Sequence, residues 1–149
     1  MTIHYVYLAG PILGKTFREA TEWRQHAASM LDTSCTRAVD PMRDEMDTRK
    51  SVKPHPWVPR KNLFDLRRCD IVLAYEPKDS AGTMMEIGAA WALGKPVVLV
   101  APSSPLLWVH PCVADACLWR GGDLNDGIAA VLELASCSRA LPHGGHNAR

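Results

Sequence analysis

The sequence predicts an α/β protein, an open parallel sheet of about five strands with helices on both faces. Short apolar runs alternate with helical patterns along most of the chain, and residues 69–101 make one complete unit of that kind. In it residues 71–75 and 97–101 read as buried strands. Between them Met84, Met85, Ile87, Gly88, Ala90, Trp91 and Leu93 spread apolar character over nearly every side of a helix, as suits one sandwiched between the sheet and another surface. Strand, helix, strand implies a parallel pair with a right-handed crossover. Ligands of such units bind where strands end and helices begin, because free backbone N–H groups point there. The loop 76–83 takes that place, with Glu86 on the first turn beyond it.

Residues 3–8 (IHYVYL) read as the first strand, leading into 9–15 (AGPILGK). Gly10 and Gly14 permit unusual backbone angles and close approach of a ligand, and Lys15 adds a positive charge. The same residues fit a plain turn from strand to helix, and the glycine spacing is not that of a Walker loop. Thr16 caps the next helix with Glu19 as its capping-box partner. Ala20, Trp23, Ala27, Met30 and Leu31 form its apolar face, and His26 beside them reads as a packing or surface histidine. Residues 36–39 make a short strand.

Residues 40–61 are rich in charge and proline without periodicity, so they read as a long loop of the sort that serves as a lid or binding loop. Arg43, Arg49, Lys50, Lys53, Arg60 and Lys61 outnumber the acids there and suit an anionic substrate, although each taken singly fits a solvated surface. Trp57 either stacks on a nucleobase or anchors the loop. Residues 62–68 form a short helix with Leu63, Phe64 and Leu66 on the buried side and Asn62 and Asp65 as neighbours on one face. Asp65 is a candidate for the site, while an acid paired with Arg67 or Arg68 is the commoner arrangement. Residues 102–112 read as a loop with three prolines, apolar enough to be covered by a second subunit. A short strand at 116–119 and a helix at 123–135 follow, the helix capped by Asp123 and carrying Leu124, Ile128, Val131, Leu132 and Leu134 on its apolar side. Residues 1–137 thus make a single domain, and the polar stretch 138–149 reads as a disordered tail.

Composition narrows the class. A chain of 149 residues, 47% hydrophobic and 22% charged, matches one ordinary soluble domain. A formal net charge of +1 implies no surface for a nucleic-acid polymer. The longest apolar run is broken at Gly94-Lys95-Pro96, too early to span a bilayer, and the N-terminus lacks the basic region of a signal peptide. Five cysteines, at positions 35, 69, 112, 117 and 137, include no CxxC pair. They argue for reduced thiols in a cytoplasm, and against bound zinc or a disulfide framework.

Glu86 is the residue with chemistry to offer. With Thr83 as the cap, it falls at the third helical position, near the positive end of the helix and close to Tyr7 and Gly10. A carboxylate so placed attacks an electrophilic carbon or stabilises an oxocarbenium-like cation. Thr83-x-x-Glu86 is also a capping box that binds only backbone amides, and on spacing alone that is the more frequent outcome.

Tyr7-Leu8-Ala9-Gly10-Pro11, then Asn62, the strand CDIVLA at 69–74, Gly82-Thr83-x-x-Glu86-Ile87-Gly88 and Gly94-Lys95-Pro96-Val97 resemble the nucleoside 2-deoxyribosyltransferase family. The resemblance implies a flavodoxin-like fold, no metal or organic cofactor, and Glu86 as the nucleophile that displaces the base from C1′ of a nucleoside. A glycosyl ester is left, and an acceptor base or water resolves it. It implies that Tyr7 orients Glu86, and that Gly10, Pro11, Asn62, Asp65, Ser80, Gly82 and Thr83 surround the substrate. A homodimer or larger oligomer with shared sites is also implied, a neighbour donating from residues 106–112, His110 among them.

Two departures bear on the substrate. Many relatives have aspartate where this chain has Asn62, which hydrogen-bonds a sugar hydroxyl but cannot be a general acid. Ser80 stands where transferases of free nucleosides often have aspartate, and resembles the serine with which related deoxynucleoside 5′-monophosphate N-glycosidases hold phosphate. With Gly82, Lys15 and the basic loop nearby, Ser80 makes a phosphate seat or an ordinary turn. Because the motif set as a whole resembles the transferase family's, transfer of deoxyribose is expected first. Hydrolysis of a 5′-monophosphate comes second, and a non-catalytic nucleotide sensor is the reading from a different class.

Overall fold

The computed structural model describes residues 2–43, 57–103 and 110–137. The expected tail at 138–149, the basic residues Arg49, Lys50 and Lys53, and most of the proline loop at 102–112 lie outside the described residues. The elements are β1 (His4–Ala9), α1 (Phe17–Leu31), β2 (Thr36–Val39), α2 (Trp57–Arg68), β3 (Ile71–Tyr75), α3 (Ala81–Ala92), β4 (Val97–Val100), α4 (Pro111–Ala116), β5 (Trp119–Gly121) and α5 (Leu124–Cys137).

All five strands are parallel, in the order β2-β1-β3-β4-β5. That is the flavodoxin-like order, whose switch point lies between β1 and β3. Side chains alternate across the sheet. Tyr7, Ala9, Val72, Ala74, Val97 and Leu99 pack into one layer with Leu66 of α2, Ile87 and Ala90 of α3 and Val113 of α4. Val6, Leu8, Ile71, Leu73, Val98 and Val100 pack into the other with α1 and α5. Strands β3 and β4 are covered on both faces, which is why they read as unbroken apolar runs.

Caps fix the helix starts. Thr16 and Glu19 form the expected capping box, and Asp123 accepts from the amides of Asn125 and Asp126 at 2.8 and 3.1 Å. Gly94 follows the end of α3 at φ +67°, a backbone angle that costs glycine nothing.

Five sequence expectations are corrected. Helix α2 begins at Trp57, inside the supposed loop, because Pro59 falls in its first turn, where no N–H is needed. Leu63 and Phe64 are 42% and 58% exposed. The inward stripe of α2 runs instead through Asn62, Asp65 and Leu66, so polar residues take the place of apolar ones on the side that meets the site. Residues 111–116, assigned to a loop and the start of a strand, form α4 with Pro111 as its first residue. The last strand is shifted to Trp119–Gly121, where it pairs with Val98, Leu99 and Val100. Finally, Met30 is exposed, and buried Arg24 joins Ala20, Ala27 and Leu31 on the inner face of α1. A charge has thus replaced an apolar residue in the core.

Candidate active site

Strand β1 ends at the switch point, and Tyr7, fully buried, sends its hydroxyl across to α3. That hydroxyl donates to Glu86 Oε1 at 2.7 Å. Asn62 Nδ2, from the inward stripe of α2, donates to the same oxygen at 3.4 Å. Neither bond goes to Oε2. Burial raises the Glu86 pKa above the ordinary carboxylate range, and the Tyr7 hydroxyl, the charge of Arg24 and the Asn62 amide pull it part of the way back. The Tyr7 phenol is raised by burial and by the adjacent Glu86 charge, so it stays a donor. Asn62 Oδ1 is buried without a hydrogen bond, which leaves an acceptor beside Glu86 for a donor from outside the chain.

The capping box does not form. Ser80, not Thr83, is the N-cap of α3, its hydroxyl accepting from the Thr83 amide at 3.4 Å. Glu86 is therefore the sixth helical residue, and its carboxylate turns toward Tyr7 and Asn62. Ser80, Gly82 and Thr83 lie up to roughly 9 Å along the axis from Glu86, at the open end of the helix. A Cβ on Gly82 would meet nothing nearer than Ser80 Oγ at 3.9 Å, so the free chain does not itself require glycine there.

Asp65 lies one turn beyond Asn62 and is paired, though not with Arg67 or Arg68. Arg43 holds it with bonds of 2.8 and 3.1 Å, and Lys61 adds a third at 3.3 Å. Burial alone would raise its pKa, but the two cations outweigh it and the net direction is down. Its charge still acts on Tyr7. Two basic residues that sequence placed in the lid are thereby bound to an acid of the chain.

Two buried ionisable groups were missed from sequence. Arg24 donates to the carbonyls of Gly10 at 2.8 Å, Leu8 at 3.4 Å and Ala20, and lies 3.5 Å from the Asp40 carboxylate. It holds the turn after β1 and supplies positive charge behind Glu86. Its signal was a charge in helical phase with Ala20, Ala27 and Leu31. The same turn needs glycine, because a Cβ on Gly10 would stand 2.4 Å from the Trp23 ring. Pro11 beside it is buried. The other group is Glu76, the residue after β3, which is wholly buried.

Lys15 lines a cleft of about 520 Å³ with Trp23, Tyr75, Pro77 and Leu124, on the α1 and α5 side. Ser80 and Gly82 are not among the residues lining that cleft. His110 is exposed at the N-cap of α4, and no hydrogen bond joins it to Glu86, Tyr7 or Asn62 among the described residues. Nor do three or more His, Cys, Asp or Glu side chains gather to hold a metal among the described residues.

The model of the nucleoside 2-deoxyribosyltransferase family matches residues 6–119. The chain belongs to that family. As a member it is an enzyme, and its flavodoxin-like sheet agrees with solved structures. The chain is similar to a conserved protein from Enterococcus faecalis V583, at TM-score 0.67 and 16% identity over 89% of this chain and 99% of the other. It is also similar to a 2-deoxyribosyltransferase from Bacillus psychrosaccharolyticus, at TM-score 0.61 and 21% identity over 82% and 88%. A CMP N-glycosidase from Clostridium botulinum aligns at TM-score 0.55 and 17% identity over 87% and 98%. No curated protein sequence matches the chain significantly.

Proposed function

We propose that this member of the family cleaves the N-glycosidic bond of a 2′-deoxynucleoside or its 5′-monophosphate by double displacement through Glu86. One observation carries the reading. Glu86 is held on Oε1 by Tyr7 and Asn62 while Oε2 makes no hydrogen bond among the described residues, the arrangement of an aimed nucleophile rather than a helix cap. Oε2 attacks C1′, the C1′–N bond breaks, and the base leaves with the electron pair. Without a 2′-hydroxyl the oxocarbenium-like transition state is easier to reach. The ester is then resolved at C1′ by a nitrogen of an acceptor base or by water, restoring the carboxylate. Asn62 Oδ1 accepts a sugar hydroxyl, and Tyr7 keeps the departing carboxylate oriented. The Tyr7 hydroxyl and, after it, the Arg24 charge limit the rise in the Glu86 pKa and so favour the ionised nucleophile.

Hydrolysis of the 5′-monophosphate is the second reading. What favours it is Ser80 capping α3 beside Gly82, whose missing side chain leaves the first turn open to a phosphate. Exposed Leu63, Phe64, Met85 and Trp91 on α2 and α3 support a homo-oligomer in which the apolar outer side of α3 is covered, with His110 brought to a neighbour's site. No described helix is long and apolar enough to cross a membrane, and cytoplasmic work is part of the proposal.

The test incubates the protein with deoxycytidine or its monophosphate, with and without adenine, and separates products by chromatography, extending to the other common bases. New deoxyadenosine establishes transfer, and free base with sugar or sugar phosphate establishes hydrolysis. Binding without turnover, unaltered in Glu86→Ala, would instead establish a nucleotide sensor.

A further inference from the structure

We infer that Glu76 sets the charge preference of this site: a phosphate dianion settling on the first turn of α3 requires the buried Glu76 carboxylate to take up a proton, whereas an unphosphorylated sugar does not. The inference rests on the reading above in placing substrate phosphate at Ser80 and Gly82.

Side-chain alternation places Glu76. Val72 and Ala74 of β3 lie in the layer with Tyr7, Ala9 and α3, and Glu76 continues the same phase two residues on. Its amide donates to the Val100 carbonyl at 2.8 Å, which fixes the backbone at the sheet edge. The side chain therefore lies under the start of α3, 0% exposed. Neither of its carboxylate oxygens makes a hydrogen bond of ordinary geometry, and the buried Thr83 hydroxyl beside them is equally unpartnered. A carboxylate left this way has lost its water without full replacement.

The surroundings hold that carboxylate near the midpoint of its titration. Burial pushes its pKa up to about 7, against the partial pull of the Thr83 hydroxyl and the Ser80 amide. The charges acting on it are Asp79 from its own loop and Glu86 from α3, both acidic and both raising it. Lys78 in that loop is exposed, Tyr7 from β1 directs its hydroxyl to Glu86, and residues 101–109, which continue β4, contain no ionisable side chain. Ser80 and Thr83 thus lie beside the buried Glu76 carboxylate, and a phosphate seated on them would lie close to it. Two anions so near each other repel, and protonating the buried one removes the conflict. The proton comes from solvent, and no other bond changes.

The test uses 2-deoxyribose 5-phosphate and 2-deoxyribose, which need no knowledge of the preferred base. Calorimetry in buffers of different ionisation enthalpy counts protons. At pH 8 the wild-type protein should take up about one proton per sugar phosphate and none per 2-deoxyribose. Between pH 7.5 and 9, above the phosphate's own second ionisation, its affinity should fall roughly tenfold per pH unit. Glu76→Gln should bind the sugar phosphate at least about tenfold more tightly at pH 8, without proton uptake or that slope. Equal affinity and equal proton counts in the two proteins overturn the inference. If the Gln variant does not fold, the wild-type count decides alone: zero protons overturns it. A phosphate that adds nothing to binding in either protein removes the phosphate seat and the inference with it. Glu86-dependent turnover of free nucleosides would be unaffected by that result.

Discussion

Replacing Tyr7 by Phe removes one oxygen atom and, with it, the 2.7 Å donor to Glu86. The ring stays in the core layer with Ala9 and Val72, so packing is kept. What remains on Oε1 is the longer Asn62 bond of 3.4 Å. A hydrogen bond to a charged group in such a setting contributes about 1.5–3 kcal/mol. The loss falls on the ionised form of Glu86, whose pKa is already raised by burial and held down first by this hydroxyl. Two consequences follow from the sign. The acid limb of the kcat/KM profile moves to higher pH, and below that limb kcat/KM drops roughly 10- to 150-fold. Folding stability should change by no more than about 1–2 kcal/mol, because a buried hydroxyl loses its partner and its desolvation cost together. Initial rates across pH, with urea melts as the control, measure both. A Phe variant with an unshifted acid limb and wild-type kcat/KM would refute the claim that Tyr7 tunes and aims this carboxylate.

Arg24→Met strands the Gly10 and Leu8 carbonyls and the Asp40 carboxylate, so urea melts should show a loss of about 3–5 kcal/mol. Arg24→Lys should recover little of it, since an ammonium cannot reproduce the fork that reaches several carbonyls at once. Gly10→Ala drives a methyl into the Trp23 ring and should cost about 1–3 kcal/mol in the same assay. Gly82→Ala meets no obstacle in the free protein and should leave the melting temperature unchanged or raised, while weakening 2-deoxyribose 5-phosphate binding in calorimetry. Glu76 also makes stability depend on pH. Its folded pKa of about 7 exceeds the ordinary glutamate value of 4.5 expected in the unfolded chain, so it costs nothing below the lower value, where both states are protonated. As pH rises between the two, the unfolded chain releases its proton first and the native state loses about 3 kcal/mol. Urea melts from pH 4.5 to 8 should show that decline in the wild type and not in Glu76→Gln.

The parts of the fold that were legible are those governed by local patterning. Thr36–Val39 and Ile71–Tyr75 match their expected bounds because apolar runs end sharply at charged or small residues. Gly94 marks the end of α3 for a stereochemical reason. The start of α3 was misplaced because Ser80 and Thr83 are both competent caps, and only the path of the loop from Glu76 selects the first. Helix α2 misled in the opposite way. Leu63 and Phe64 looked like its buried side, but Asn62 and Asp65 occupy it, since the helix faces a polar site rather than a core. Pro59 and Pro111 disguised helix starts as loops. Tyr7, Asn62 and Glu86, far apart in sequence, were named together only through the family resemblance, and the structure then joins them by hydrogen bonds. Arg24 carried one mark, its helical phase with Ala20, Ala27 and Leu31, whereas Glu76 carried none, because burial of a charge depends on what covers it.

The central claim is that Glu86 forms a bond to the sugar. Its most direct test is mass spectrometry of the protein trapped with a slow 2-fluoro-arabino nucleoside, followed by peptide mapping. A glycosyl adduct on the peptide containing Glu86, absent from Glu86→Gln, is the predicted result. Turnover that proceeds without any adduct and persists in Glu86→Gln would contradict it.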